Sequence, residues 1–187
     1  IAETLGNRRS QLHALGNLGN VYNAIADYTQ AADYYRQQLT IAKAIGDRLG
    51  EAIAHGNLGI VAYEQEDYDN AFQSMSQQRK LAMEMCDLLR IAQALGNLGN
   101  VHSVQGNYLT AKKHYQQALS VADSIGDQQT IANTLGYLGE LHSRLQDTAI
   151  ATDYFHQQHS LAQSIGDSSG ASRAQNNLKK MRSPSLT

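Results

Sequence analysis

The stretch LGNLGNVY, from Leu15 to Tyr22, decides the fold of this chain. Closely similar letters return as HGNLGIVA from His55, LGNLGNVH from Leu95 and LGYLGELH from Leu135. The four starts are 40 residues apart, and no insertion interrupts the period. A fixed period of this length is typical of arrays in which one supersecondary unit stacks on the next. We therefore expect a repeat protein.

Each unit is predicted to form two helices. The second segment of the first unit, Tyr28–Ile45, begins after Asp27, a good N-cap, and ends before Gly46, which suits the left-handed turn after a helix. No segment alternates in twos, so strands are not expected. The first segment runs from about Arg9 to Ile25, and its apolar or small residues follow the three-and-four spacing of one helical face. These residues are Leu12, Leu15, Leu18, Gly19, Tyr22 and Ile25.

The second glycine of each LGNLGN-like motif has a packing reason. Glycine in a helix costs about 1 kcal/mol relative to alanine, so four glycines in register need a compensating contact. Removing the Cβ lets a neighbouring helix approach, and the closer packing offsets that cost. The four positions are Gly19, Gly59, Gly99 and Gly139, with Ala31, Ala71, Ala111 and Ala151 beside them.

The arrangement of Leu18-Gly19, Tyr22 and Ala31 resembles the tetratricopeptide repeat (TPR), and it recurs over essentially the whole chain. The period is 40 residues, whereas the common TPR unit has about 34. This longer form, with its GNLGN and IGD signatures, is similar to the repeats of Partner of Inscuteable (Pins/LGN) adaptors and, more loosely, of kinesin light chains. The resemblance implies an all-α fold: a right-handed α-solenoid of antiparallel helix pairs, four pairs plus a C-terminal capping helix.

A single array over residues 1–182 is expected. The opening letters IAETLGN match IAKAIGD 40 residues later, so the chain is expected to start inside the closing turn of an earlier repeat. We then expect exposed apolar surface around Leu5, Leu12 and the outer side of the first helix pair, and weak self-association through this N-terminal face. The predicted repeats are about 8–47, 48–87, 88–127 and 128–167, followed by the capping helix, about 168–182, and a disordered tail, 183–187.

By resemblance, the first helices line a concave groove, and asparagine amides in it could hold the backbone of an extended peptide. Alternatively, Asn17, Asn57 and Asn97 bond the neighbouring helix and only lock the stack; the same alternative applies to Asn20 and Asn100. The first glycines of the motifs, such as Gly16, would leave this wall low. The implied groove residues are His13, Asn17, Asn20, Asn23, Asn57, Ile60, Tyr63, Glu64, Gln93, Asn97, Asn100, Ser103, Asn133, Tyr137, Glu140 and Arg144.

Other chemistry is not favoured. The net charge of −2 and the 17% charged residues give no basic field for nucleic acid, and no apolar run could span a membrane, so we expect a cytoplasmic protein. Cys86 is the only cysteine, and His102 and His142 are expected to pack between helices. His156 and His159 bring no third ligand, so we expect neither metal nor cofactor. No catalytic constellation is found, and the chain is not expected to be an enzyme.

The favoured function is a non-enzymatic scaffold or adaptor that binds a linear segment of a partner protein. Glu64 and Glu140 would favour basic residues near the middle of that segment. Arg144 and Arg173 would favour acidic residues toward the C-terminal end. The alternative is a sensory or structural arm of a larger regulator, a signalling protein or transcription factor, that transmits ligand binding through a change of the superhelix. A further row, Gln37, Gln77, Gln117 and Gln157, is interpreted as interhelix or outer-face hydrogen bonding.

Overall fold

The computed structural model describes residues 2–182, with side chains from residue 6 to residue 181. This part of the chain is all-α, which confirms the predicted fold class. The predicted tail, 183–187, and the side chain of Leu5 lie outside the described residues. The nine helices of the described part are α1 (Ala2–Ala24), α2 (Tyr28–Ile45), α3 (Arg48–Glu64), α4 (Tyr68–Glu84), α5 (Leu88–Val104), α6 (Tyr108–Ser124), α7 (Gln128–Arg144), α8 (Thr148–Ser164) and α9 (Ser168–Arg182).

The helix ends follow the predicted caps. Asp27 accepts a hydrogen bond from the Gln30 backbone N–H at 3.1 Å at the start of α2. The helix ends at Gly46, whose φ of 70° lies in the left-handed region. Asp47 then caps α3 by accepting the Gly50 N–H at 2.9 Å. Local signals therefore set both ends of α2 and the start of α3.

The start of α1 differs from the prediction. The letters IAETLGN were expected in a turn, but α1 is continuous from Ala2 to Ala24. A Cβ built at Gly6 would meet no atom within 4 Å. Since no described helix precedes this segment, no packing forces the chain to turn there, and helical hydrogen bonding continues through it.

The chain divides into two compact units, unit 1 up to Asn97 and unit 2 from Leu98, with the division inside α5. In unit 1, α1 packs on α2 through Leu12 and Ile41. The next first helix, α3, covers the other side of α2, where Val61 joins a cluster with Ala31 and Tyr35. In unit 1, α2 thus lies between α1 and α3, as in a repeat stack.

Unit 2 repeats this packing. Leu138 and Leu141 of α7 join Ala111 and Tyr115 of α6 in one cluster. At the end of the described chain, Leu178 of α9 packs on α8. The last helix therefore covers α8 as α7 covers α6.

The second glycines are packing positions, as predicted, and their neighbour is a side chain of the second helix. A Cβ at Gly99 would lie 2.6 Å from Cδ1 of Tyr115, and one at Gly139 would lie 2.6 Å from Cε1 of Phe155. Real Cβ atoms do not approach this closely, so the ring fills the space that the glycine leaves.

The apolar stripe predicted for α1 is only partly buried. Leu12 is 2% exposed, contrary to the expected exposure, whereas Leu18 is 42% and Ile25 67% exposed. The reason lies in the repeat register: Leu58, which follows Leu18 by one period, packs on the cluster of α2. No described helix covers that side of α1, so its apolar residues face outward.

Candidate functional site

A cavity of about 180 Å³ lies between α1 and α3 in unit 1. It brings together four of the predicted groove residues, His13, Asn17 and Asn20 from α1 and Asn57 from α3. On each helix these residues recur every three or four positions, so they share one face. The remaining lining consists of Leu12, Gly16, Gln38, Asp47, Leu49, Gly50 and Ile53.

Gln38 of α2 lies behind this face and forms the floor of the cavity. It is only 4% exposed, and a Cβ at Gly16 would lie 2.7 Å from its Nε2. Its Oε1 is buried and has no hydrogen-bond partner among the described residues. The first glycine of the motif therefore makes room for a buried glutamine; it does not simply lower the wall, as was expected.

The same pairing of glycine with glutamine recurs in both units. Gln78 lies against Gly56 and Gln158 against Gly136, each with its Nε2 2.5 Å from the position of the missing Cβ. The recurrence identifies a row that the sequence interpretation missed, because it singled out the adjacent row of Gln37, which is exposed. The spacing of Tyr35, Gln38 and Ala42 on one helical face was the signal that could have found it.

The asparagines differ in what they are free to bind. Asn20 Oδ1 accepts a hydrogen bond from the Tyr35 hydroxyl at 2.8 Å, and Asn100 Oδ1 accepts one from Tyr115 at 2.7 Å. Burial raises the pKa of the Tyr35 phenol above its ordinary value. The side-chain oxygens of Asn20 and Asn100 thus bond the second helix of their own pair, which agrees with the alternative that these asparagines lock the stack. In contrast, the amides of Asn17 and Asn57 make no side-chain hydrogen bond within residues 6–181.

One predicted row lies between the helices of a pair. Asn23 has a buried Oδ1, Tyr63 contacts the ring of Tyr68 edge-on at 5.7 Å, and Ser103 is 7% exposed. Side chains at this register position lie near the end of the first helix and face the second helix of the same pair. Ser103 in particular offers no surface to a ligand.

Other predicted residues of unit 1 lie at the surface of the first helices. Ile60 is 37% exposed, Glu64 and Gln93 are exposed, and Asn97 is half-buried. These positions leave an accessible polar surface with one apolar side chain, Ile60.

In unit 2, side chains of α9 bridge the wall formed by α7. Arg173 donates to Asn133 Oδ1 at 3.1 Å, and Asn177 donates to Glu140 Oε1 at 3.5 Å. Tyr137 stacks on Tyr115 with ring centroids 5.7 Å apart. Arg144 is exposed. In unit 2 the chain itself therefore supplies hydrogen bonds to two of the predicted groove side chains, Asn133 and Glu140.

His102 and His142 pack between helices, as predicted. His102 stacks on His114 with centroids 5.3 Å apart. His142 stacks on Tyr154 at 5.7 Å, and its Nδ1 lies 3.1 Å from Asp147 Oδ2. Within the described residues, no group of three or more His, Cys, Asp or Glu could hold a metal ion. None of the helices described is long and apolar enough to cross a membrane.

The helix pairs, the glycine positions and the alanine row point to one family. Comparison with protein families agrees, since the tetratricopeptide-repeat model matches residues 10–80 and 90–163. The chain belongs to the tetratricopeptide-repeat family. For this TPR chain, the closer resemblance to Partner of Inscuteable adaptors and kinesin light chains stays a prediction. No curated protein matches the sequence.

Solved structures with the same fold include three at low sequence identity. Aspartyl phosphate phosphatase F from Bacillus subtilis superimposes with a TM-score of 0.81 at 16% identity, over 96% of this chain and 46% of that one. The Rap conjugation gene regulator of plasmid pLS20, in complex with the Phr* peptide, gives 0.75 at 14% identity, over 97% and 56%. The apo form of RapI gives 0.74 at 16% identity, over 84% and 58%. The TPR chain thus spans about half the length of these proteins, and the likeness shows the fold.

Proposed function

We propose that this TPR chain is a non-enzymatic interaction module that binds an extended segment of another protein along the exposed faces of its first helices. The observation that carries the proposal is the cavity between α1 and α3, where the amides of Asn17 and Asn57 have no partner within the described chain. Each amide offers an acceptor and two donors, which match the N–H and C=O of a peptide backbone.

Two further observations support a protein segment as the ligand. The chain carries a net charge of −2 with 17% charged residues, so no field of one sign favours nucleic acid. The Rap regulator of pLS20, which shares this fold, is in complex with a peptide. Aspartyl phosphate phosphatase F, a second protein of this fold, is named for an enzymatic activity, and this chain covers less than half of its length. Its activity is therefore not assigned to this chain.

The proposal is tested by selecting twelve-residue peptides from a random phage library on the immobilised chain, and by titrating the best binder calorimetrically against variants. Asn17→Ala/Asn57→Ala should weaken binding by about 1–2 kcal/mol per residue, since each leaves a peptide group unpaired. Affinity should fall only gently with salt, because the lining is nearly neutral.

The matched control is Gln37→Ala/Gln77→Ala, which removes two exposed amides from the second helices of the same unit at the same 40-residue spacing. This variant should bind like the parent. Unchanged binding by a folded Asn17→Ala/Asn57→Ala variant would move the site away from the first helices. A steep salt dependence would show that charge holds the segment.

A second candidate function is a sensory arm of a larger regulator. The Rap regulator supports it, because that structure combines a peptide ligand with a chain nearly twice as long as the part matched here. The two functions are separated by adding the selected peptide to the full polypeptide. A change in the activity of the remaining domains favours the sensory arm, whereas binding without such a change favours the scaffold.

A further inference from the structure

The cavity between α1 and α3 presents hydrogen-bond acceptors that the chain leaves unused. Asp47 caps α3 through Oδ1, and within residues 6–181 its Oδ2 accepts no hydrogen bond. Gln38, 4% exposed, adds an Oε1 without a partner at the floor. A buried acceptor without a donor is costly. A donor that enters this cavity gains a hydrogen bond to the buried Gln38 Oε1 and one to the half-buried Asp47 carboxylate.

The cleft in the same register of unit 2, between α7 and α9, contains such donors. Asp167, 120 residues after Asp47, accepts a hydrogen bond from Gln129 at 2.9 Å through its own Oδ2. Across the same cleft, the guanidinium of Arg173 donates to Asn133. The Gly170 N–H, the Gln129 amide and the charge of Arg173 together lower the pKa of Asp167. In unit 2 a guanidinium of the chain itself therefore lies near the capping carboxylate.

The corresponding positions of unit 1 leave the cleft open. Ile53 stands where α9 has Arg173, and His13 stands where α7 has Asn133. Arg9, in the position of Gln129, forms no ion pair with Asp47 in the described part of the chain. The apolar Ile53 cannot donate, so the Oδ2 of Asp47 remains a free acceptor. The Oε1 of Gln38 is unpartnered in the same way as that of Gln158 in unit 2, and it adds a second acceptor to the open cleft.

The lining selects the chemistry of an occupant. The cavity of about 180 Å³ has room for about six waters at ~30 Å³ each, which suits the end of one long side chain. Asp47 carries the only carboxyl group among the lining residues, so a cation is favoured over an acid. A guanidinium carries five donors in a planar fork and can serve a carboxylate and a neighbouring amide oxygen together, whereas an ammonium is a compact point charge.

We propose that this cavity is a pocket for one arginine side chain of the bound protein segment. The inference rests on the proposed function and adds a sequence requirement to it. The asparagines hold the backbone on either side, and the pocket fixes the register of the segment by accepting one arginine beside Asp47.

The test is a titration of the whole chain, followed by ¹H–¹⁵N NMR, with N-acetyl-arginine N-methylamide and its neutral isostere N-acetyl-citrulline N-methylamide. The arginine probe should shift the amide resonances of Gly16 and Gly50 and the side-chain amide of Gln38. The citrulline probe should bind about five- to tenfold more weakly, because hydrogen bonds to charged groups are roughly twice as strong as neutral ones. Asp47→Asn keeps the cap and removes the charge, so it should reduce the arginine affinity to the citrulline level.

The matched control is Asp67→Asn, because Asp67 caps α4 in the same way, accepting the Asn70 N–H at 3.2 Å, and does not line the cavity. It should leave the response to arginine unchanged. Equal responses to arginine and citrulline, or an unchanged response in Asp47→Asn, would overturn the pocket. An equally strong response to N-acetyl-lysine N-methylamide would overturn arginine as its occupant.

Failure of the pocket and failure of the proposed function are distinguishable. Selected peptides that depend on Asn17 and Asn57, together with a silent arginine probe, would refute the pocket and leave the function standing. An arginine probe that binds as described, together with no peptide dependent on these asparagines, would uphold the pocket and refute the function.

Discussion

Gly99→Ala tests the helix contact on which the repeat depends. A Cβ at Gly99 would lie 2.6 Å from Cδ1 of Tyr115, which is 0.8 Å inside the 3.4 Å lower limit of ordinary contact. The ring cannot simply retreat, because Tyr115 is 2% exposed and its hydroxyl donates to Asn100 at 2.7 Å. Overpacking costs about 1–3 kcal/mol, and loss of the hydrogen bond costs about 1 more.

Alanine also gains about 1 kcal/mol over glycine in helix propensity. The net expectation for Gly99→Ala is a loss of about 1–3 kcal/mol in the free energy of unfolding. Urea unfolding followed by far-UV circular dichroism measures it, with midpoints compared between variants because repeat arrays need not unfold in one step.

Two glycines provide controls. At Gly59 the added Cβ would lie 2.7 Å from Cγ of Met75, which is itself 2% exposed, so Gly59→Ala should also destabilise, by less than Gly99→Ala because methionine has more rotamers than a tyrosine ring. At Gly6 the space is open, and Gly6→Ala should stabilise by up to about 1 kcal/mol. A Gly99→Ala variant as stable as Gly6→Ala would refute the rigid contact between Gly99 and Tyr115.

Three other predictions concern single positions. His55 occupies a register position that holds leucine in the other repeats, and burial is the main cause that lowers its pKa. Because the pKa is lower in the folded state, the unfolded chain binds more protons in acid. The free energy of unfolding should therefore be at its full value above about pH 6.5 and fall below it. His55→Leu should remove this acid loss and add about 0.5–2 kcal/mol at neutral pH, checked by urea melts between about pH 8 and 5. Cys86 has φ of 54° where Gly46 has 70°, so Cys86→Gly should stabilise by about 1 kcal/mol in the same melts. Val21 is 58% exposed and lies on the outer side of α1, the side where self-association is expected. Val21→Lys should abolish any concentration-dependent dimer in sedimentation analysis, and a parent that stays monomeric would contradict the expectation.

Helices were predictable where local chemistry sets their ends. The bounds of α2 follow from Asp27 and Gly46, whose cap and left-handed turn need only a few neighbouring residues. The segment before Arg9 was not predictable in this way. Its letters match those of a turn, but a turn between two helices is stabilised by the packing of both, and at Gly6 nothing packs.

The candidate site was predictable as a surface and not as a set of hydrogen bonds. The repeat register placed Asn17 and Asn57 on the faces that the structure brings to one cavity. The hydrogen bond from the Tyr35 hydroxyl to Asn20 depends on how α1 and α2 cross, and the crossing geometry cannot be read from the sequence. Gln37 recurs in all four repeats, whereas the register of Gln38 holds Ala118 in the third repeat. Periodicity alone therefore favoured the exposed row, and only the contact of Gln38 with Gly16 shows which glutamine is buried.

The repeats divide their positions between folding and recognition. The positions that pack a helix pair change little from repeat to repeat: glycine stands opposite an aromatic ring or methionine, and alanine is fully buried in each second helix at the register of Ala31. The wall positions change freely, because a side chain there touches few neighbours and a substitution leaves the packing intact. An array can therefore keep one fold while each cleft between first helices acquires its own chemistry, closed by Arg173 in unit 2 and open beside Ile53 in unit 1. The series that shows this is His13, Ile53, Gln93, Asn133 and Arg173, five different side chains at one register position.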